Sequence, residues 1–410
     1  MATLIPFRAV RPRPAKAAAI ASVPYDVVNA DEARTLAEGN PLSFLRISRA
    51  EIELPVSTDP YSDAVYQRAA ANFAKLKNEA FETENEPSLY FYRLRMGAHE
   101  QTGIAGCFSL DEYDRDIIKK HERTRRDKED DRTRHMMALG AQTGPVFLTF
   151  RTSSRVSGAA ARVRQSDPLI DFEAVDGVRH TLWRATGSDA AELVAAFQAV
   201  PALYIADGHH RAASAARART AAREPGAPPV LLGDGADVGT FLAVAFPHDE
   251  TQILAYNRLV KDLGGRSAAE FLAAVAKTFD VAPGPAAPTV RGEISMYVDG
   301  SWRTLRPRVK PDPADAIGSL DVSVLQDQLL SPILGIIDVR TDKRIDFVGG
   351  ARGTGELQKA VDSGKAAAAF SLFPVSVAEL MAVSDAGAIM PPKSTWFEPK
   401  LRDGLLVHMI

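Results

Sequence analysis

The sequence has a single cysteine, Cys107, among its 410 residues, which excludes an internal disulfide and a zinc site built from several cysteines. It also lacks an excess of either charge, since 49 Lys and Arg balance 52 Asp and Glu. That balance argues against a protein that coats nucleic acid through a broad basic surface. No apolar run approaches the roughly 18 residues of a transmembrane helix. We therefore expect a cytoplasmic protein in a reducing compartment.

The composition is that of a folded globular protein, with 46% hydrophobic and 25% charged residues. At roughly 150 residues per domain, the length predicts two or three domains. A proline-rich stretch at 224–229 suggests a boundary between an N-terminal α/β region, 1–225, and a C-terminal α/β region, 226–410. One intertwined unit is the alternative, because the stretch is too short for a free linker.

The pattern of apolar residues alternates between strands and helices. Leu89–Arg95 and Thr102–Phe108 are predicted to be two strands of a hairpin. Ala202–Ala206 is predicted to be a short buried strand that leads into a helix over 211–223. Asp299-Gly300, a favoured turn pair, predicts a second hairpin. Hairpins mixed with strand–helix crossovers indicate an α+β or mixed α/β architecture.

The motif YIADGHHR carries the clearest chemistry. Five consecutive polar or flexible residues follow a predicted strand and open a helix: Asp207, Gly208, His209, His210 and Arg211. A glycine lets backbone N–H groups approach a phosphate, and the helix N-terminus and an arginine fork favour anions. The carboxylate of Asp207 is of the type that Mg²⁺ prefers. The alternative is an N-cap with two surface histidines. Zinc is a weaker interpretation because no nearby Cys or carboxylate pattern completes a tetrahedron.

A second segment, Asp111–His135, is charged at 18 of its 25 positions, with nine residues of each sign. Most of it is predicted to be a solvated helix with i,i+4 ion pairs. Its start differs, because His121 and Glu122 follow an apolar pair and precede Thr124. A glutamate among cations is a candidate general base. The spacing does not match the HExxH pattern of zinc proteases.

Four further segments have the composition of rigid, site-lining loops. VGGARGTG contains four glycines between a predicted strand and helix and places Arg352 near any bound anion, although it lacks the ending of a P-loop. MPPKSTWFEP cannot be a regular helix and offers Lys393 as a phosphate-binding cation. Near the N-terminus, VPYDV and NPLSFLR offer Tyr25, Asp26 and Arg46. The alternatives are tight turns and structural plugs.

Seven motifs in order resemble the domain-of-unknown-function 1015 family, whose members often carry a SpoOJ/ParB-like label. They are VPYDVV, NPLSFLR, KKHERT, IADGHHR, QILAYNR, FVGGARG and MPPKSTWFEPKL, and they extend from about Ile5 to His408. The pair HE and DGHHR is also similar to the site of free-serine kinases built on the ParB/sulfiredoxin fold. That similarity implies a ParB/sulfiredoxin-like core elaborated by additional α/β segments. Because 85 residues separate Glu122 from Asp207, it also implies an inserted region.

The resemblance implies roles for individual residues. Glu122 would be the base that activates a hydroxyl, with Asp207 and His209 as further catalytic groups and Asp207 as the Mg²⁺ ligand. Two larger sets would bind the substrates. The nucleotide and its phosphates would contact Gly208, His210, Arg211, Arg352 and Lys393. The acceptor amino acid would contact Tyr25, Asp26, Arg46, His121 and Thr124.

The function that follows is transfer of a phosphoryl group from ATP or ADP to the hydroxyl of a free amino acid, with L-serine as the favoured acceptor. One alternative is a nucleotide-binding regulator similar to the ParB-like switches that bind CTP. Another is a phosphatase that uses the same anion site. No basic helix-turn-helix is recognisable, which argues against DNA as a partner. A homo-oligomer is compatible with the sequence.

Overall fold

The computed structural model describes residues 1–223 and 237–410, which form two units. The first unit comprises Met1–Thr251 and Pro399–Ile410, and the second comprises Gln252–Glu398. The proline-rich stretch 224–229 and the predicted boundary between residues 225 and 226 lie outside the described residues. The two predicted regions therefore stay a prediction.

The first unit contains the N-terminal elements and the last strand of the chain. Its strands are β1 (Leu4–Ile5), β2 (Val10–Pro12), β3 (Phe81–Thr83), β4 (Leu89–Met96), β5 (His99–Ser109), β6 (Ile118–Lys119), β7 (Ala141–Gln142), β8 (Val146–Phe150), β9 (Ile170–Glu173), β10 (Arg179–Ala185), β11 (Leu203–Asp207), β12 (Thr240–Pro247) and β21 (His408–Met409). Its α-helices are α1 (Ala17–Ile20), α2 (Ala30–Ala37), α3 (Leu45–Ser48), α4 (Asp63–Ala80), α5 (Leu110–Asp114), α6 (Arg126–Leu139), α7 (Ser154–Val163), α8 (Gly187–Phe197) and α9 (His209–Arg223).

The main sheet of this unit has the strand order β6-β11-β8-β12-β5-β4-β10-β9, and β1 also pairs with β5. Apolar side chains of α7, α8 and α9 join the core cluster that includes the buried strand residues Leu148, Phe150 and Ile205. A second cluster packs the apolar face of α4 around Phe44 and Phe81. Burying these apolar faces away from water provides the main stabilisation of such layers.

The pairing of β6 with β11 determines where the candidate site lies. The two strands are parallel, with Leu203 opposite Ile118 and Tyr204 opposite Lys119. Parallel strands end at the same edge of a sheet. The residues that follow Lys119 and the residues that follow Asp207 therefore leave the sheet at one edge.

The second unit is also α/β. Its strands are β13 (Gln252–Leu254), β14 (Tyr256–Val260), β15 (Phe279–Pro283), β16 (Ile294–Val298), β17 (Ser301–Pro307), β18 (Ile345–Gly349), β19 (Ala368–Leu372) and β20 (Trp396–Glu398). Its α-helices are α10 (Ala268–Val275), α11 (Asp321–Leu325), α12 (Gly353–Asp362) and α13 (Val377–Asp385). Six strands form a sheet in the order β15-β17-β16-β19-β14-β18, and β13 pairs with β20.

The mixed α/β class is confirmed, and so are both predicted hairpins. Asp299 and Gly300 have positive φ angles of 51° and 69°, which a tight two-residue turn requires. The helix predicted for most of Asp111–His135 is present only in part, because α5, β6, a loop and α6 occupy this segment. The ParB/sulfiredoxin-like identity of the core stays a prediction. Within the described residues, no helix has the length and apolarity needed to cross a membrane.

Candidate active site

Two loops at the shared edge of β6 and β11 bring the HERT and DGHHR motifs together. The Nδ1 atom of His209 lies 3.9 Å from Oε2 of Glu122, although the residues are 87 positions apart. The rings of His121 and His209 meet edge to face with centroids 4.4 Å apart. The His121 amide lies 3.5 Å from Nε2 of His209, beyond the usual 2.7–3.2 Å of a strong hydrogen bond. Glu122 and His209 therefore share one site.

The next residues of the two loops are also joined. The backbone N–H of Arg125 donates a hydrogen bond of 3.0 Å to Nε2 of His210. Thr124 donates its hydroxyl hydrogen to the carboxylate of Glu129 in α6. These contacts give His210 and Thr124 definite positions in the loop. Their predicted roles with phosphate and acceptor stay predictions.

Asp207 ends β11 between two cations. Its Oδ2 atom accepts a 2.7 Å bond from Arg211, and its Oδ1 lies 3.4 Å from the amine of Lys400. Burial acts to raise the pKa of Asp207, but the positive charges of Lys400 and Arg211 hold this pKa at about 2. At physiological pH, Asp207 is therefore an ionised carboxylate whose negative charge is balanced by Arg211 and Lys400.

Arg211 is buried, with 5% of its surface exposed. Besides its ion pair with Asp207, it donates to the backbone oxygen of Pro145. Gly208 makes this arrangement possible. Its φ is +95°, and a Cβ there would lie 2.8 Å from Nε and 2.9 Å from Cζ of Arg211. Gly208 is thus needed because the guanidinium of Arg211, a group of the protein itself, packs closely against its backbone.

Tyr25 and Asp26 lie within electrostatic range of Arg211. The Arg132 guanidinium carbon stands 4.1 Å above the Tyr25 ring, and the charges of Asp26 and Asp403 favour the protonated form of Arg211. Burial raises the pKa of Tyr25 far above its ordinary value, so this phenol keeps its proton. The VPYDV loop and the DGHHR loop therefore belong to one cluster.

The remaining predicted residues have other surroundings. Arg46 donates hydrogen bonds to the backbone oxygens of Asn40 and Ala37 and forms a 2.7 Å ion pair with Glu53, so it braces its own loop. Arg352 and Lys393 belong to the second unit, where the Lys393 oxygen accepts a 2.9 Å bond from Arg258. The binding roles of these three residues stay predictions.

Burial leaves both central histidines neutral. It lowers the pKa of His121 to about 4, and burial followed by the neighbouring His121 lowers the pKa of His209 well below 6.5. Each ring therefore retains a lone pair at physiological pH, which a proton or a metal ion can use. His209 cannot serve as a charged phosphate anchor in this environment.

Lys400 and Asp403 were not singled out by the sequence analysis. Both follow the predicted MPPKSTWFEP loop and belong to the first unit. Burial raises the pKa of Asp403 to about 7, the ordinary value being 3.8. In the sequence, the only sign of these two residues is the run KLRDG, which contains a Lys, an Arg and an Asp. Their partners cannot be identified from that run, because the contact of Lys400 with Asp207 joins residues nearly 200 positions apart.

The site offers two places for a cation, and they differ in chemistry. Asp207, the predicted Mg²⁺ ligand, is a single carboxylate that two cationic side chains already neutralise. A divalent cation there would be repelled by both, so Asp207 alone fits Mg²⁺ poorly. His121, Glu122 and His209 present ligand atoms that all lie within 4.8 Å of one another.

Comparison with known proteins identifies a family. The profile described as "Protein of unknown function (DUF1015)" matches residues 4–323, and the chain belongs to this family. No curated protein matches the chain.

The solved structures that match this chain have low sequence identity to it and low TM-scores. One titled "Free serine kinase in complex with AMP" is 15% identical, covers 73% of this chain and 92% of its own, and has a TM-score of 0.37. A conserved hypothetical protein from Pyrococcus furiosus is 14% identical, with coverage of 74% and 95% and a TM-score of 0.37. SbnI with a C-terminal truncation, from Staphylococcus aureus, is 14% identical, with coverage of 74% and 87% and a TM-score of 0.38.

Proposed function

We propose that this member of the DUF1015 family is a small-molecule kinase that transfers a phosphoryl group from ATP or ADP to the hydroxyl of a free amino acid, with L-serine as the acceptor. One observation carries the proposal: Glu122 lies beside His209, the first residue of α9, and the ion pair of Asp207 with Arg211 spans that residue in the sequence. A carboxylate next to a helix N-terminus flanked by cations supplies both a base and a place for phosphate.

Glu122 is the proposed base. Its side chain is 39% exposed, so a small hydroxyl compound can reach it. The hydroxyl oxygen would form a bond to the transferred phosphorus while the bond from phosphorus to the nucleotide oxygen breaks. The hydroxyl proton would pass to the Glu122 carboxylate. Phosphoryl transfer depends mainly on such positioning and on charge neutralisation.

The phosphates are proposed to bind at the start of α9. The backbone N–H groups of His209 and His210 belong to its first turn, whose partial positive charge favours anions. Arg211 is held by Asp207 and Pro145, so we assign it to positioning this turn. Lys400 adds positive charge next to it. A nucleotide-borne Mg²⁺ would neutralise phosphate charge, and no step of this mechanism depends on Asp207 binding it.

The choice of L-serine rests on the sequence resemblance to free-serine kinases. Tyr25 and Asp26 lie within the electrostatic reach of Arg211. They are therefore the proposed contacts of the amino and carboxyl groups of the acceptor. A regulator or a phosphatase that uses the same anion site would form different products.

The test is phosphorus NMR of the purified protein with Mg²⁺, ATP or ADP, and L-serine. A phosphomonoester peak that requires L-serine supports the kinase. Nucleotide consumption with only inorganic phosphate supports the regulator, and phosphate release from phosphoserine without nucleotide supports the phosphatase. Glu122→Gln should lower kcat by roughly 10²–10⁴-fold, the usual contribution of a general base.

The matched control is Glu100→Gln. Glu100 is an exposed glutamate of β5 that forms a 3.8 Å ion pair with Arg93. This variant should keep the full rate. Equal rates in the Glu122 variant and the control would remove Glu122 from the mechanism.

A further inference from the structure

A second kind of site is present at the same sheet edge. His121, Glu122 and His209 come from two loops, yet one nitrogen or oxygen of each lies within 4.8 Å of the others. The parallel pairing of β6 and β11 produces this convergence. The sequence near His209 offers no Cys or carboxylate pattern that completes a zinc tetrahedron. In the structure, His121 and Glu122 of the other loop lie beside His209 and supply an imidazole and a carboxylate.

His121 provides an independent sign of a ligand. The residue is 2% exposed, and the one hydrogen-bond contact of its ring within the described residues, with the Ile205 backbone, falls short of normal hydrogen-bond geometry. An imidazole that is buried in this way recovers little of its lost hydration, which is uncommon in native proteins. A bound metal ion would form a bond to one ring nitrogen and offset the free energy lost on removing that nitrogen from water.

We infer that His121, His209 and Glu122 bind one divalent transition-metal ion of the Zn²⁺ or Co²⁺ class. Imidazole nitrogens suit these metals, whereas Mg²⁺ prefers oxygen ligands. Two histidines and one glutamate form a donor set that keeps a fourth position open for water or substrate.

Metal binding requires the three ligand atoms to move closer together. Bonds to zinc from His nitrogen and carboxylate oxygen are about 2.0–2.2 Å, so two ligand atoms of a tetrahedral site are about 3.3–3.6 Å apart. The ligand atoms here lie within 4.8 Å of one another, so they must approach by up to about 1.5 Å. The Glu122 side chain is 39% exposed and can make most of this movement. Its exposure also provides a path for the ion from solvent.

This inference goes beyond the proposed kinase and does not depend on it. A carboxylate that binds a metal through one oxygen retains lone pairs on the other oxygen. Metal binding and proton acceptance by Glu122 are therefore compatible. Metal binding is measured without nucleotide or serine, so failure of one proposal leaves the other standing.

The experiment is a Co²⁺ titration of chelator-treated full-length protein, followed by visible absorption. We expect a d–d band that saturates at one equivalent and that Zn²⁺ abolishes, because Zn²⁺ binds such sites more tightly. Cys107 is fully buried away from the site, so no thiolate charge-transfer band should appear.

His121→Gln and His209→Gln should each weaken Co²⁺ binding by at least about 100-fold, the upper end of what losing an outer-shell partner costs. His99→Gln, at the start of β5, should leave the titration unchanged. If both histidine variants misfold, Co²⁺ binding is tested with Glu122→Gln instead, because the side chain of Glu122 is partly exposed and its replacement should not disturb folding. The inference is overturned by the absence of saturable binding, or by a band that persists unchanged in the ligand variants.

Discussion

Replacing Gly208 by alanine is expected to destabilise the first unit far more than an ordinary glycine substitution. Two costs combine. The φ of +95° is one that L-residues avoid, at about 1–2 kcal/mol. The added Cβ would stand 2.8 Å from Nε of Arg211, and the guanidinium has little room to move because it is buried and bonded to Asp207 and Pro145.

Displacing Arg211 separates a mostly buried ion pair, which costs about 3–5 kcal/mol. The combined loss of about 4–7 kcal/mol is comparable to the whole 5–15 kcal/mol stability of a typical domain. Gly177→Ala is the matched control. Its φ is +76°, but nothing lies within 4 Å of the new Cβ. The control should therefore lose only about 1–2 kcal/mol.

The assay is urea unfolding followed by tryptophan fluorescence. Of the three tryptophans, Trp183 lies in the first unit and is buried, whereas Trp302 and Trp396 lie in the second. A background with Trp302→Phe and Trp396→Phe makes the signal specific for the first unit. Equal unfolding midpoints for the Gly208 and Gly177 variants would refute the argument that Arg211 is held against this glycine.

Three other predictions concern residues outside the proposed chemistry. The pKa of Asp403 is about 7 in the folded protein and 3.8 ordinarily, so its contribution to stability is present below pH 4 and is lost as the pH rises through 7. Asp403→Asn should flatten that fall in urea midpoints measured from pH 5 to pH 8, and an unchanged slope would contradict the assignment. Tyr66→Phe deletes a 2.8 Å hydrogen bond to the buried carboxylate of Asp131 and should cost about 1.5–3 kcal/mol in the same assay, whereas no loss would mean that the bond is absent in solution. Arg258→Lys should lower the unfolding midpoint of the second unit, measured in a background that keeps Trp396 and carries Trp183→Phe and Trp302→Phe, because a single ammonium cannot reproduce the paired donation to the backbone oxygens of Tyr256 and Lys393; a midpoint equal to the parent's would exclude that role.

The local part of the site was predictable from the sequence. An apolar strand, a glycine and a helix-forming run follow each other within about 20 residues, and β11, Gly208 and α9 occupy these positions. Short-range patterns of this kind depend on neighbours in the chain. The predicted helix even begins two residues too late, because His209 and His210 form its first turn.

The long-range part was not predictable from periodicity. β6 has two residues, too few to show an alternating pattern, yet its pairing with β11 positions Glu122. Lys400 reaches Asp207 across 193 positions. The charged segment was hard to interpret because its composition resembles that of a solvated helix. Asp131 and His135, on α6, are in fact buried, where Asp131 accepts a hydrogen bond from Tyr66 and His135 contacts the backbone oxygen of Ile47.

The two halves of the site differ in charge, and that difference assigns their ligands. Around Asp207, two cationic side chains face one carboxylate, so the local balance favours an added anion such as phosphate. Around Glu122, two neutral imidazoles face a carboxylate, so the balance favours an added cation. An anion and a cation placed on neighbouring loops would attract each other, and each would assist the binding of the other. We therefore expect inorganic phosphate to tighten Co²⁺ binding in the parent protein. Lys400→Met should reduce that coupling, whereas Co²⁺ affinity without phosphate should stay the same or rise.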